Sequence, residues 1–326
     1  MPQVRALVVT NMWPSPERPA YGAFVRDQVE ALQRVADVEV EVFSFPPKAY
    51  ARAARDLRRA HGPSVHGRFD VIHAHFGLTA WVALAVRGAP RMVTLHGTDV
   101  VHPRTGPLTR MILPRMDLVA TVSEALGAQL GPAWAGRTAV LPTGVATDRF
   151  RPVGRARARR TLGLDPDEPC LLFPADPARP KKRHDRAMEV AAGVRLLSIG
   201  GVAPAQVPLW VNAANAVLVP SESEGFGLAV LEALACDVPV VATPVGVHEE
   251  ALAGIGGTLC APFDADAWRA AVAPHLRHPD PRVDGRERAE RWSADRMAAR
   301  VVATWRELVA GGDAAPGARG GRRTLG

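Results

Sequence analysis

Lysine is nearly missing from this chain of 326 residues: Lys48, Lys181 and Lys182 are the only three, and arginine supplies almost all of the positive charge behind a net +7. Cysteine is scarce too. Cys170, Cys236 and Cys260 stand far apart with no Cys-x-x-Cys pair, which excludes a zinc ribbon or a disulfide framework and points to a reducing, cytoplasmic setting. With two tyrosines and nine phenylalanines, the cores must be mostly aliphatic, but a hydrophobic content of 47% suffices for two ordinary domains. Long apolar runs are lacking. The longest, Phe76 to Val86, falls well short of the roughly 20 residues that span a bilayer. Met1-Pro2-Gln3-Val4-Arg5 leads directly into a short strand, so a protein neither exported nor transmembrane is expected.

Missing motifs remove further function classes. Where a dinucleotide fingerprint would follow the first strand, Thr10-Asn11-Met12-Trp13-Pro14 stands instead, which argues against a dehydrogenase. No Gly-x-Ser-x-Gly elbow supports a serine hydrolase. The basic charge comes without a nucleic-acid motif or basic-aromatic interleaving, so no nucleic-acid partner is expected.

What is present is an alternation of short apolar runs with helical patterns, the grammar of parallel α/β sheets. Strands are expected at Val4–Val9, Val38–Phe43, Val71–His73, Met92–Leu95, Leu118–Thr121 and Ala139–Leu141, with a helix over Gly22–Val35. A second α/β unit contains Cys170–Phe173, Leu196–Ile199, Ala216–Val219 and Val238–Ala242. Arg155 to Arg160 reads as a solvated helix face, and Ala294 to Leu308 as a helix carrying Trp305. Asp264-Ala265-Asp266 precedes a helix over Ala267–Leu276, so an N-cap explains it better than a metal-binding Asp-x-Asp. From Gly311 onward the chain is aperiodic in Gly, Ala and Arg, and residues 311–326 are expected to be a disordered tail.

The most telling stretch runs from Ser221 to Leu234. A buried strand ends at Pro220, and a turn through Glu224, Gly225, Phe226 and Gly227 opens into an apolar helix. Such a junction offers free backbone N–H groups and the positive end of a helix dipole, which suits phosphate. Glu232 lies roughly 10 Å further along the axis. The pattern Glu-x7-Glu around Gly-Phe-Gly, with its flanking strands Ala216–Val219 and Val238–Ala242, resembles glycosyltransferase family 4, the glycosyl transferases group 1. The short second domain and the loop Pro174-Ala175-Asp176-Pro177-Ala178-Arg179-Pro180 are similar to its cell-wall and teichuronic-acid-type members.

That resemblance implies an α/β fold of GT-B type: two Rossmann-like domains facing a central cleft, with the C-terminal helix crossing back to the first. Residues 1–145 would be the acceptor domain and 146–310 a short donor domain. It further implies a metal-independent, retaining enzyme without cofactors, in which a nucleotide-diphospho-sugar is the donor and a glycan or lipid-linked molecule the acceptor. The product would belong to cell-envelope polysaccharide synthesis. Glu224 would bind donor-sugar hydroxyls, Gly225, Phe226 and Gly227 would offer amides, and Glu232 would hold the ribose. Aligning Lys182-Arg183-His184-Asp185 with the family's Lys-Gly-His-Asp makes Lys182 the phosphate lysine. The family's preceding Gly-Arg is missing, and Arg179 is the nearest substitute. In the first domain, His96 in Leu95-His96-Gly97-Thr98-Asp99 matches the active-site histidine, and Gly22 would bring backbone close to the diphosphate. His73 and His75 read as packing residues or as cleft lining, and Glu222 as surface.

Two other classes share these features: a GT-B sugar-nucleotide epimerase and a non-catalytic nucleotide-sugar-binding protein. One more segment stands out. Lys48, Arg52, Arg55, Arg58 and Arg59 recur at helical spacing among Tyr50, Ala53 and Leu57, which reads either as a solvated helix or as a peripheral contact with an anionic membrane on the cytoplasmic face.

Overall fold

A computed structural model of the chain describes residues 3–313. It divides into two compact units. The first holds the residues up to Thr143 and those from Asp295 onward; the second is Gly144–Ala294.

The first unit is built on a six-stranded sheet of β1 (Val4–Thr10), β2 (Val38–Ser44), β3 (Val71–His75), β4 (Arg91–Leu95), β5 (Leu118–Thr121) and β6 (Thr138–Val140). Its order is β2-β1-β3-β4-β5-β6, and every pairing is parallel. Helices cover its faces, so β1 and β3 are buried along nearly their whole length, β1 as a nearly continuous apolar run and β3 with His73 and His75 among its buried residues. The helix Ala294–Asp313 packs into this unit through Trp305, which is fully buried. This helix continues through residues 311–313; the remainder of the expected tail lies outside the described residues.

The second unit has a five-stranded parallel sheet of β7 (Cys170–Phe173), β8 (Arg195–Ser198), β9 (Ala216–Val219), β10 (Val240–Ala242) and β11 (Leu259–Cys260), in the order β11-β10-β9-β7-β8. Leu171, Phe173, Leu218, Val241 and Trp268 fill one side of its core. Asp264 caps the helix Ala265–Arg277, its Oδ1 accepting from the Ala267 N–H at 2.8 Å.

One charged helix differs from its sequence pattern. Arg155 and Arg159 are not solvated but buried. The Arg159 guanidinium donates to the carbonyls of Ala213 and Pro166 and to Asn215 Oδ1 at 2.8–2.9 Å, pinning the helix Arg155–Thr161 to the segments that lead into β7 and β9. The helix Tyr50–His61 buries Ala53 and Leu57 against the first unit's core. Its large apolar positions are thus consumed inward, and its outer face carries Arg52, Arg55, Arg58 and Arg59.

Candidate functional site

In parallel sheets, ligands gather at the carboxyl ends of the strands. Each unit places a distinctive group of side chains there.

In the first unit, β3 and β4 are neighbours and set His73, His75 and His96 in a column. The rings of His73 and His75 stack at 4.5 Å between centroids, and those of His75 and His96 at 5.3 Å. Burial pushes all three imidazoles below their ordinary range, His75 to about 3, and their mutual proximity lowers His73 and His96 further. They are therefore neutral, each with a single ring N–H. The Trp305 indole only donates, and its Nε1 lies 3.3 Å from His73 Nδ1. His73 must accept there and donate from Nε2 to Thr94 Oγ1 at 2.8 Å.

His75 Nδ1 lies 3.1 Å from His96 Nε2, while His75 Nε2 is buried without a partner. Orphaned buried donors are rarer than orphaned acceptors, so the bare lone pair belongs at His75 Nε2 and the proton at Nδ1. His75 then donates to His96 Nε2, which leaves His96 carrying its proton on Nδ1. Phe24 and Phe76 flank the His96 ring, at 5.1 and 4.5 Å.

Asp99 fixes the loop after β4. Its buried carboxylate accepts from the N–H groups of His96, Gly97 and Gly77 at 2.9–3.1 Å. Burial raises it to about 6, against the opposing pull of those amides. Gly97 has φ 120°, open to glycine but hardly to other residues. Gly22 starts the helix Ala23–Gln33 at φ 73°, and a Cβ there would lie 2.3 Å from the carbonyl of Met12. Close packing on the first loop thus already demands glycine. Two residues later, Phe24 brings this helix start against His96.

In the second unit, β9 leads into the turn that ends at Gly227, the N-cap of the helix Leu228–Ala235, with φ 111°. Glu224 lies in that turn with its side chain 9% exposed. Both of its oxygens accept from Lys182 Nζ at 2.7 Å, and Ser221 Oγ donates to Oε1 at 2.6 Å. Burial alone would raise the Glu224 carboxyl, but the ammonium and the hydroxyl outweigh it and hold it below the ordinary range. The sequence-predicted pair of Lys182 and Glu224 is therefore in direct contact, 42 residues apart in the chain. Arg183 takes the left-handed conformation at φ 56°, ψ 56°. It bridges Asp185 and Glu222 at 2.6–2.8 Å, so Glu222 has a structural partner at the surface.

Glu232 sits one turn into the helix and is half-buried. Arg179 is exposed on the turn before Pro180–Lys182, tied to it by backbone hydrogen bonds. The structure does not bring its guanidinium to Glu224.

Sequence reasoning missed two residues. Asp99 was part of the quoted motif; its contacts to the His96 and Gly97 amides are local, but the one to Gly77 arises only once β3 and β4 are adjacent. His248 carried no signal. Its Nδ1–H donates to the Thr243 carbonyl at 2.8 Å, and Thr243 Oγ1 donates to the Ser221 carbonyl at 2.6 Å. The remaining nitrogen, Nε2, is buried without a partner and faces Gly227, where a Cβ would come within 2.6 Å of it. A hydrogen-bonded chain therefore runs from His248 through Thr243 and Ser221 to Glu224 and Lys182.

Comparison with known proteins accords with both units. The family described as Glycosyltransferase Family 4 matches residues 3–149, and Glycosyl transferases group 1 matches residues 159–292. D-inositol 3-phosphate glycosyltransferase of Segniliparus rotundus is 30% identical over 83% of this chain and 73% of its own length. Its namesake from Frankia alni is 31% identical over 69% of this chain and 70% of its own. Among solved structures, sucrose-phosphate synthase from Thermosynechococcus elongatus superimposes with a TM-score of 0.71 at 21% identity, covering 95% of this chain and all of that one. AviGT4, a glycosyltransferase involved in avilamycin A biosynthesis, gives 0.63 at 20% identity over 94% and 98%. Anabaena HepE in complex with UDP and glucose gives 0.68 at 15% identity over 93% and 99%. At these identities the likeness is one of fold.

Proposed function

The chain belongs to glycosyltransferase family 4 and is a GT-B transferase of the EC 2.4 type, and from that premise we propose that it moves a sugar, with retention, from a nucleotide-diphospho-sugar to a glycan or lipid-linked acceptor of the cell envelope. The carrying observation is the buried Glu224 with both oxygens on Lys182, set in the turn before the helix Leu228–Ala235. When donor arrives, its phosphate takes the lysine and its sugar hydroxyls take the carboxylate. Amides of Gly225–Gly227 and the helix dipole add fixed positive potential where the leaving diphosphate gathers charge. Glu232 holds the ribose, and Arg179 adds a second cation at the diphosphate. His96, neutral with its proton on Nδ1, donates to the sugar.

The bond from the anomeric carbon to the phosphate oxygen breaks while the acceptor oxygen bonds on the same face. The acceptor's hydroxyl proton passes to the departing phosphate, so glycoside and nucleoside diphosphate are the products and no protein nucleophile or metal takes part. The relatives' name favours a second acceptor, inositol 3-phosphate.

A panel of UDP-, GDP- and ADP-sugars with envelope glycans and with inositol 3-phosphate tests this, read by free nucleotide and by product anomer. Retained anomer and stoichiometric nucleotide are expected. An inverted product, an epimer without nucleotide release, or binding without turnover each overturns the proposal. Glu224→Gln should cut turnover by about 10²–10⁴-fold while nucleotide still binds; equal turnover removes Glu224 from its role.

A further inference from the structure

Among the described residues six large apolar side chains are exposed, and four of them, Trp81, Val101, Leu108 and Met111, belong to three helices of the first unit that pack on one another. These are Gly77–Ala83, Thr98–Val101 and Thr105–Ile112. The patch is continuous. Trp81 Nε1 donates to the Leu108 carbonyl at 3.2 Å, and the Arg115 guanidinium lies 6.0 Å from the Trp81 ring while donating to the Met111 carbonyl. Arg110 donates to the Val100 carbonyl beside Val101.

Arg104, Leu108, Met111 and Arg115 follow one another at helical spacing on the outer face, whereas Gly106, Thr109 and Ile112 face inward and are buried. From Val100 to Met116 there are three arginines and no carboxylate. Protruding leucine, methionine and tryptophan collared by arginine is the composition of a surface that seats at the boundary of an anionic bilayer.

We propose that this patch docks the protein on an anionic membrane. A second copy of the chain is disfavoured as occupant, because a self-complementary contact would set arginines against arginines. The helix Tyr50–His61, whose sequence pattern first pointed to a membrane, has its large apolar side chains in the core and offers charge without anything to insert. The docking surface is therefore the stripe from Arg104 to Arg115, with Trp81 and Val101 beside it. Its position on the first unit favours an acceptor carried on a lipid, but the docking stands independently of the sugar chemistry.

Co-sedimentation of the full chain with vesicles of phosphatidylglycerol and phosphatidylcholine, against phosphatidylcholine alone, tests it without any substrate. Binding is expected only to the anionic vesicles and should weaken at high salt. Leu108→Ser with Met111→Ser should lower it by about tenfold or more. Arg104→Glu with Arg115→Glu should do the same, while Arg55→Glu with Arg58→Glu leaves most of it. Circular dichroism checks that each variant is folded. No vesicle binding by the wild type, equal binding by the serine variant, or loss confined to the Arg55/Arg58 variant overturns the proposal. So does dimerisation in light scattering that the serine variant abolishes, or a retained acidic protein partner in place of the vesicles.

Discussion

The two groups of side chains meet the same demand, polar groups held ready away from water, by opposite electrostatic means. In the first unit the column His73, His75 and His96 is neutral: His75 and His96 share one hydrogen bond, His73 stacks on His75, and the two nitrogens of His73 are used on Thr94 and Trp305. In the second, Glu224 and Lys182 are both charged and each neutralises the other. A neutral column can donate to a sugar without attracting the anion. A buried ion pair stores charge that a phosphate can redirect, and breaking it from one side leaves the other charge exposed to the full penalty of burial.

The sharpest way to break that contrast is Lys182→Ala. It removes positive charge from the leaving diphosphate and leaves Glu224 buried without its main partner, so kcat/KM should fall by about 10²–10³-fold. The carboxyl, freed of the ammonium, should also titrate higher than in the wild type, displacing the acid limb of the pH–rate profile upward. A fall in rate without that displacement would show that the lysine does not set the state of Glu224.

Acid distinguishes the units next. His73, His75 and His96 have folded pKa values below the usual 6.5, so the unfolded chain takes up protons that the folded one refuses. The stability they permit is complete above about pH 6.5 and is lost as the pH falls below it, by about 1.4 kcal/mol per pH unit for each proton. Asp99, raised to about 6, binds its proton in the folded state first and offsets one of these between about pH 6 and 4. The second unit has one such histidine, His248. His61 and His275, also lowered by burial, add one group to each unit and leave the difference standing. Calorimetry from pH 7.5 to 5 should therefore show the first unit's transition falling faster, and equal shifts would contradict the neutral column.

Much of this was legible. The charged group announced itself because spacing encodes it: Glu224 and Glu232 stand on one turn and one helix, and Lys182 is conspicuous in a chain almost without lysine. Nine of the strands follow from apolar runs, since parallel strands covered on both faces have little else to show, and β2 follows from its alternation of Val and Glu. The two-residue β11 left no such run. The histidine column was not legible, because it depends on which strands are neighbours, and β3 pairs with β4 across 15 intervening residues. His248 and the buried Arg159 were hidden for the same reason: their partners arrive from other elements, and in a linear reading they are a lone histidine and one arginine of several.

A smaller effect tests the relay within the column. His75→Phe keeps a flat ring between His73 and His96 but removes the Nδ1–H that His96 Nε2 accepts. It should lower kcat by about five- to tenfold, the rate equivalent of one hydrogen bond, with little change in KM. Stability should hold or rise, since the orphaned Nε2 disappears. Nitrogen NMR of labelled His96 reads the consequence directly: protonated at Nδ1 in the wild type, mixed in the variant. An unchanged tautomer would leave His75 a packing residue.

The smallest effect lies in Arg183, which occupies the left-handed position where the family's motif has glycine. Its φ of 56° is unfavourable for any residue with a Cβ, yet the guanidinium holds Asp185 and Glu222 and so ties the Lys182 turn to the strand end that carries Glu224. Backbone strain and surface ion pairs oppose each other, and exposed pairs are individually weak. Arg183→Gly relieves the strain and loses the pairs, so its melting temperature should stay close to the wild type's. Arg183→Ala loses the pairs but keeps the strain, and should melt about 2–4 °C lower than the glycine variant. If the tie also helps to place Lys182, both variants share a rise of about two- to threefold in donor KM with kcat unchanged. A rise confined to alanine would assign the effect to strain, whereas no rise in either would make Arg183 a surface clasp with no hold on the lysine.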